Sequence, residues 1–242
     1  MQLTLLIVNF FLITIISREY GAEIYGEYAS SKSLSVLIGT AIVMSLALVV
    51  TKALAKNSED SKLLFVNSYY IIIRNFFITL LILFPVTLLF QRDFSMTALF
   101  LMGFVFNELI HVALAFFQSR GDFVTSSKQI FVRTVLYGIG AWIIVLQGFS
   151  IIFLIAFQVF MLVLFFVIAH VSIPKNEKIF KTTSTPNVKT NLQKSGKKMV
   201  LTTFSSALIS ELDIVLLGLF YSGSVLGAVS YTHLTLPTKR IV

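Results

Sequence analysis

Several apolar stretches of this sequence, each long enough for a helix, carry acids, amides and a histidine. "FNELIHVALAFFQ" places Asn107, Glu108 and His111 in the middle of one such run. Positions i, i+3 and i+4 neighbour one another on a helix, so the three read as one polar stripe. Two chemistries fit it: a carboxyl group lining a transport cavity and taking up a proton, or a polar contact between helices with Glu108 protonated. A second run, "MVLTTFSSALISELDIVLLGLFY", spaces Thr202, Ser206, Ser210 and Asp213 by four, four and three, with Glu211 on a different face. This stripe is expected to line a cavity; hydroxyls bonding across a helix interface are the alternative. Asn9 and Gln158 are weaker cases of the same kind. An ionised side chain at the centre of a bilayer costs at least ~2.5–3.5 kcal/mol, so every such residue needs a reason. Arg74 and Arg133 read as lying near the cytoplasmic ends of their helices. There a guanidinium either snorkels to the interface or contacts a phosphorylated ligand, which its planar fork suits.

Enzyme signals are weak. "QKSGKK" lacks the glycine that a phosphate-binding loop needs five residues before Gly196. Glu108 and His111 form one Glu-x-x-His pair, but a di-iron bundle needs a second, and residue 167 is Val where His170 would require Glu. Arg120-Gly121-Asp122 reads as a polar turn. No catalytic residue, cofactor or metal site is expected, and coupling to H⁺ or Na⁺ is left open.

The elements that must hold these residues follow from composition. Hydrophobic residues make up 57% of the chain and charged ones 12%, about half the charged fraction of a soluble domain. Cysteine is absent, which excludes disulfides and thiolate chemistry. The net charge of +8 sits between apolar runs, a polytopic membrane pattern that argues against nucleic-acid binding. Seven apolar segments stand out: Met1–Ile16, Ser33–Val50, Leu63–Phe90, Met96–Phe117, Ile130–Leu146, Phe149–Val171 and Met199–Tyr221. The first lacks the basic start and cleavage site of a signal peptide and reads as a membrane span. In lipid the backbone must satisfy itself, and the alternation of a membrane barrel is missing, so the expected fold is all-α.

Basic residues orient the bundle. Lys52, Lys56 and Lys62 lie in the second connection, Arg120 and Lys128 in the fourth, and seven lysines between Lys175 and Lys198 in the sixth. The odd connections hold only Arg18, Lys32 and Arg92. The even connections and the N-terminus are therefore expected on the cytoplasmic side. The sixth, residues 172–198, reads as a linker between residues 1–171 and a new helical unit at 199–228. Its lysines either attract anionic headgroups or simply mark the cytoplasmic side.

"SREYGAEIYGEYAS", Ser17 to Ser30, resembles a loop of the bacterial oligosaccharide flippases. These are the O-antigen and capsule translocases of the multidrug/oligosaccharidyl-lipid/polysaccharide exporter superfamily. Arg18, Gly21, Glu23, Tyr25 and Gly26 carry the likeness, and "FFQSRGDF" and "ELDIVLLGLFYSGSVLG" are similar to that family as well. The resemblance implies two six-helix halves around a central cavity in the bacterial inner membrane. It also implies a lipid-linked (undecaprenyl-diphosphate) oligosaccharide as cargo, with a polysaccharide polymerase and a chain-length regulator as partners. Against that pattern the second half is expected to be missing after its first helix. "VSYTHLTLPT" looks like a sequencing-library adapter read in frame, so residues 229–242 are expected to be an artefact and the fragment inactive alone. A drug or cation exporter of the same superfamily and an integral-membrane polysaccharide enzyme are the rival readings.

Overall fold

The computed structural model describes residues 2–56, 61–89, 93–174 and 186–220, and the regular structure among them is helical throughout. The helices are α1 (Gln2–Val43), α2 (Leu46–Ala55), α3 (Ser61–Leu89), α4 (Phe94–Ser119), α5 (Phe123–Leu146), α6 (Ile151–Ser172) and α7 (Pro186–Phe220). Six stretches among the described residues are long and apolar enough to cross a membrane. The all-α membrane bundle expected from composition is the observed architecture.

The first two apolar segments are not separated by the loop expected at residues 17–30. Helix continues on both sides of Gly21, whose φ of 81° and ψ of 166° interrupt α1. The two arms fold back on each other. Leu12 and Ile16 share a core cluster with Tyr25 and Tyr28, and Asn9 faces the same space as Ser35. A single glycine thus replaces a loop, because only glycine readily occupies this backbone region. The apex is tied down where the Tyr20 hydroxyl donates to the Phe149 carbonyl at 2.6 Å.

A second break falls inside the expected Ser33–Val50 segment. Met44 and Ser45 both take left-handed conformations, with φ of 52° and 51°, and α2 starts afresh after them. Three neighbours hold this strained pair. The hydroxyls of Ser45 and Thr203 lie 2.9 Å apart, Glu108 caps the new helix, and α7 packs closely enough that a Cβ on Gly196 would meet the Met44 carbonyl oxygen at 2.9 Å.

Helix α4 runs through the centre, against α1, α2, α3 and α6. Its Leu101, Val112, Ala113, Leu114 and Ala115 are fully buried. Small residues set the close approaches: Gly39 of α1 accommodates the Phe104 ring, and Gly138 of α5 accommodates Val8. Outward-facing residues such as Phe77, Leu81, Trp142, Phe160 and Val171 stay exposed, as hydrocarbon-facing surface should. Asp93, Asp122 and Ser150 cap α4, α5 and α6 through their side chains. Hydrogen bonds from Thr125 hold the Asp122 carboxyl below its usual range, as an ionised cap requires. The Arg120-Gly121-Asp122 turn is a turn, with Gly121 at φ 78° and the Arg120 guanidinium 3.9 Å above the Phe116 ring.

Helix α7 begins at Pro186 rather than at the expected Met199. Its added turns include Leu192 and Gly196, both buried, and Lys189 sits 4.3 Å above the Tyr70 ring. Much of the expected linker is therefore structured helix seated on α2 and α3. Proline suits a helix's first position, where its missing N–H costs nothing.

Candidate functional site

Both arms of α1 converge with α4, α5 and α6 on a cavity of about 230 Å³. Its polar lining comprises Asn9, Lys32, Ser35, Asn107, Arg133, Thr134, Tyr137 and Gln158, set among apolar side chains such as Phe100, Phe104 and Leu162. Not all of these groups are free. Ser35 donates to the carbonyls of Ser31 and Thr97, and Thr134 to that of Ile130. The Tyr137 hydroxyl donates to Gln158 Oε1 at 3.4 Å. What remains to meet a ligand is the amides of Asn9 and Asn107, the Gln158 Nε2 and two cations.

The cations define the electrostatics. Arg133 Nη1 is buried with no hydrogen-bond partner, an expensive condition unless something occupies the space beside it. Lys32 projects into the same cavity from the second arm of α1. No aspartate or glutamate lines the cavity among the described residues. Glu211 acts electrostatically on Lys32, and its Oε2 also accepts a hydrogen bond from Ser33 at 2.6 Å. A positive, partly apolar chamber inside a membrane bundle suits an anionic head group.

Of the residues singled out from sequence, Asn9, Arg133 and Gln158 come together here, with Asn107. Arg133 does not lie at a helix end: ten residues of α5 precede it, which puts it about 15 Å along the helix. Arg74 likewise sits near the middle of α3, donating to Asn75 Oδ1 at 2.8 Å, while Asn75 donates to the Ile42 carbonyl at 3.0 Å. Arg18 is exposed on the first arm of α1, three residues before Gly21.

The Asn107–Glu108–His111 stripe divides. Consecutive helical positions diverge by about 100°, so Asn107 reaches the cavity while Glu108 turns to α2. There the Ala47 N–H donates to Glu108 Oε1 at 3.2 Å. The α2 cap residue, Ser45, makes no side-chain cap bond of its own, so the carboxyl from α4 supplies it across the helix interface. His111 does not line the cavity but lies near enough to Arg133 to interact with its charge.

Removing the cap is expected to show as lost stability. Glu108→Ala strands a part-buried N–H, at about 1 kcal/mol, whereas Glu108→Gln keeps an acceptor and most of the stability. Thermal unfolding of the detergent-solubilised protein measures both, and equal midpoints for Glu108→Ala and the unaltered chain would remove the cap assignment.

The second stripe also turns away from the cavity. Thr202, Ser206 and Ser210 are exposed on α7, and Ser210 donates to the Ser206 carbonyl at 3.0 Å. Asp213 accepts from the Ile214 N–H at 2.8 Å. It is the neighbouring side of α7 that packs inward, with Glu211 accepting from Ser33 of α1 and Thr203 meeting Ser45 at the break before α2. Residues 229–242 and Lys175–Lys181 of the basic stretch lie outside the described residues.

Sequence reasoning missed Lys32, assigned to a connection when it stands about three turns inside the second arm of α1. Its spacing from Tyr28 and Ser35, both buried, was the available signal.

Fold and cavity together define a multi-pass α-helical membrane protein with a cationic chamber among its helices. The chain belongs to the polysaccharide biosynthesis protein family, whose model matches residues 89–242, well over half of its length. The matched stretch takes in α4, α5, α6 and α7, and so contributes Asn107, Arg133, Tyr137 and Gln158 to the cavity. No curated protein and no solved structure matches the chain.

Proposed function

We propose that this protein moves a lipid-linked oligosaccharide, carried on a polyprenyl diphosphate, across the bacterial cytoplasmic membrane for O-antigen or capsule assembly. The observation that carries this reading is Arg133, which lines the cavity together with Lys32 and whose Nη1 is buried without a hydrogen-bond partner. A diphosphate offers a guanidinium and an ammonium the acceptors they lack. The amides of Asn9, Asn107 and Gln158 would take sugar hydroxyls. At about 230 Å³ the cavity has room for the head of such a lipid and not for a whole repeat unit. A hydrophilic glycan cannot cross hydrocarbon unaided, and a bundle that opens alternately to each side would let it pass.

In this reading the protein is a transporter and not an enzyme. The basic connections and the N-terminus face the cytoplasm, where the cargo is loaded, and H⁺ or Na⁺ is the candidate coupling ion. A polysaccharide polymerase and a chain-length regulator would act on the delivered units. Export of cationic drugs is the competing use of such a fold, and the cavity's charge argues against it.

Photo-crosslinking from benzoylphenylalanine at position 158, in membranes of a polysaccharide-producing strain, tests the cargo. The expected adduct is sensitive to diphosphate cleavage and carries the cell's own glycan. Labelling by a cationic dye, with no glycan adduct, would defeat the proposal.

A further inference from the structure

The cavity leaves unused a second group of cations at the far end of α2. There Lys52 and Lys56 of α2 and Lys198, Asn191 and Ser195 of α7 surround a pocket of about 490 Å³. Lys52 and Lys56 are one helical turn apart. Asn191, Ser195 and Lys198 follow the i, i+4, i+7 spacing of a single face, so two helices present donors to one space. All five side chains are exposed, whereas Leu64 and Leu192, which also line the pocket, are buried.

Favourable placement near a helix C-terminus explains Lys52 and Lys56. It does not explain Lys198, which lies inside α7. No carboxylate among the described residues lines the pocket; Glu59 and Asp60, the acids next in sequence, lie outside those residues. Three ammonium groups around one opening repel each other unless an anion sits between them. The apolar wall beside them, at the end of a membrane helix, fits the chain of a lipid whose phosphate meets the lysines.

We propose that this pocket binds the phosphate group of a membrane lipid. The tight seating of Gly196 against Met44 brings the α7 donors to α2, so the pocket exists only while these helices are docked. Lys194 and Lys197, on the same turns of α7, do not line it. They serve as internal controls for general attraction to an anionic surface.

The test uses the whole 242-residue chain in phosphatidylcholine nanodiscs, titrated with phosphatidic acid and followed by native mass spectrometry. Combined Lys52→Gln, Lys56→Gln and Lys198→Gln substitution is expected to weaken binding at least tenfold, since each basic residue near a surface contributes substantially to anionic-lipid attraction. Lys194→Gln with Lys197→Gln should change it less than about twofold. Equal loss in both variants, or none in the triple variant, would overturn the site. Geranylgeranyl diphosphate distinguishes the sources: displacement of phosphatidic acid identifies a diphosphate-bearing lipid as the preferred occupant, and failure to displace it identifies bulk phospholipid. Inorganic diphosphate binding as tightly as either lipid would rule out the apolar part of the site. Unfolding midpoints of the variants in phosphatidylcholine alone confirm that each is folded.

Discussion

Arg133→Gln is expected to weaken binding of a diphosphate-bearing lipid roughly tenfold to a hundredfold while leaving the protein as stable as before, or more so. A half-buried guanidinium with one buried, unmet nitrogen stabilises little and costs desolvation, so its replacement by a neutral side chain should be neutral or favourable to folding. Its use lies in binding. Hydrogen bonds to charged groups contribute about 1.5–3 kcal/mol each, so one lost contact weakens diphosphate affinity by roughly tenfold to a hundredfold. Lys32→Gln should act in the same direction, and the double variant should reduce binding to background. Arg133→Lys keeps the charge but loses the planar fork, and an intermediate affinity is expected. Titration of the purified protein in nanodiscs with geranylgeranyl diphosphate gives the affinity; thermal unfolding gives the stability. A double variant that still binds as tightly as the unaltered chain contradicts the cavity's assignment. A sharp fall in the unfolding midpoint would make Arg133 structural instead.

Gly21→Ala is the second large effect, and it runs through the backbone alone. A Cβ at this position meets nothing within 4 Å, so no clash complicates the result. The cost arises from φ 81° with ψ 166°, a region essentially closed to other residues, at about 1–3 kcal/mol. A chain of this size should then unfold roughly 2–10 °C lower. Gly21→Val should cost at least as much, because branching at Cβ tightens the same restriction. The damage is expected to spread to the cavity, since Asn9 is on one arm of α1 and Lys32 on the other, and only the reversal at Gly21 sets them face to face. Wild-type midpoints for both variants would show that the reversal tolerates a side chain.

Runs of apolar residues located α3, α4, α5 and α6 to within several residues, because the need to fill hydrocarbon over about 20 residues leaves its mark on every position of a span. Membership of a polysaccharide biosynthesis family, too, was readable in short motifs, two of which lie within or overlap the matched residues. Periodicity shows which residues share a face of one helix, but it does not say which neighbour that face meets. Asn107 and Glu108 looked like one stripe, and packing sent one to the cavity and the other to cap α2. The α7 stripe of Ser206, Ser210 and Asp213 looked like a cavity wall, yet the contacts to Ser33 and Ser45 are made by Glu211 and Thr203.

By itself, then, the sequence determined an all-α membrane bundle, its approximate spans and the presence of costly polar groups within them. Tertiary structure decided their uses. It reversed the chain at Gly21, broke the second arm at Met44–Ser45 and drew Lys32 and Arg133 to one chamber. Partitioning into lipid depends on each segment's own side chains and is therefore local. The partner of a buried charge is chosen among helices far apart in the chain, and that choice is made only when they pack.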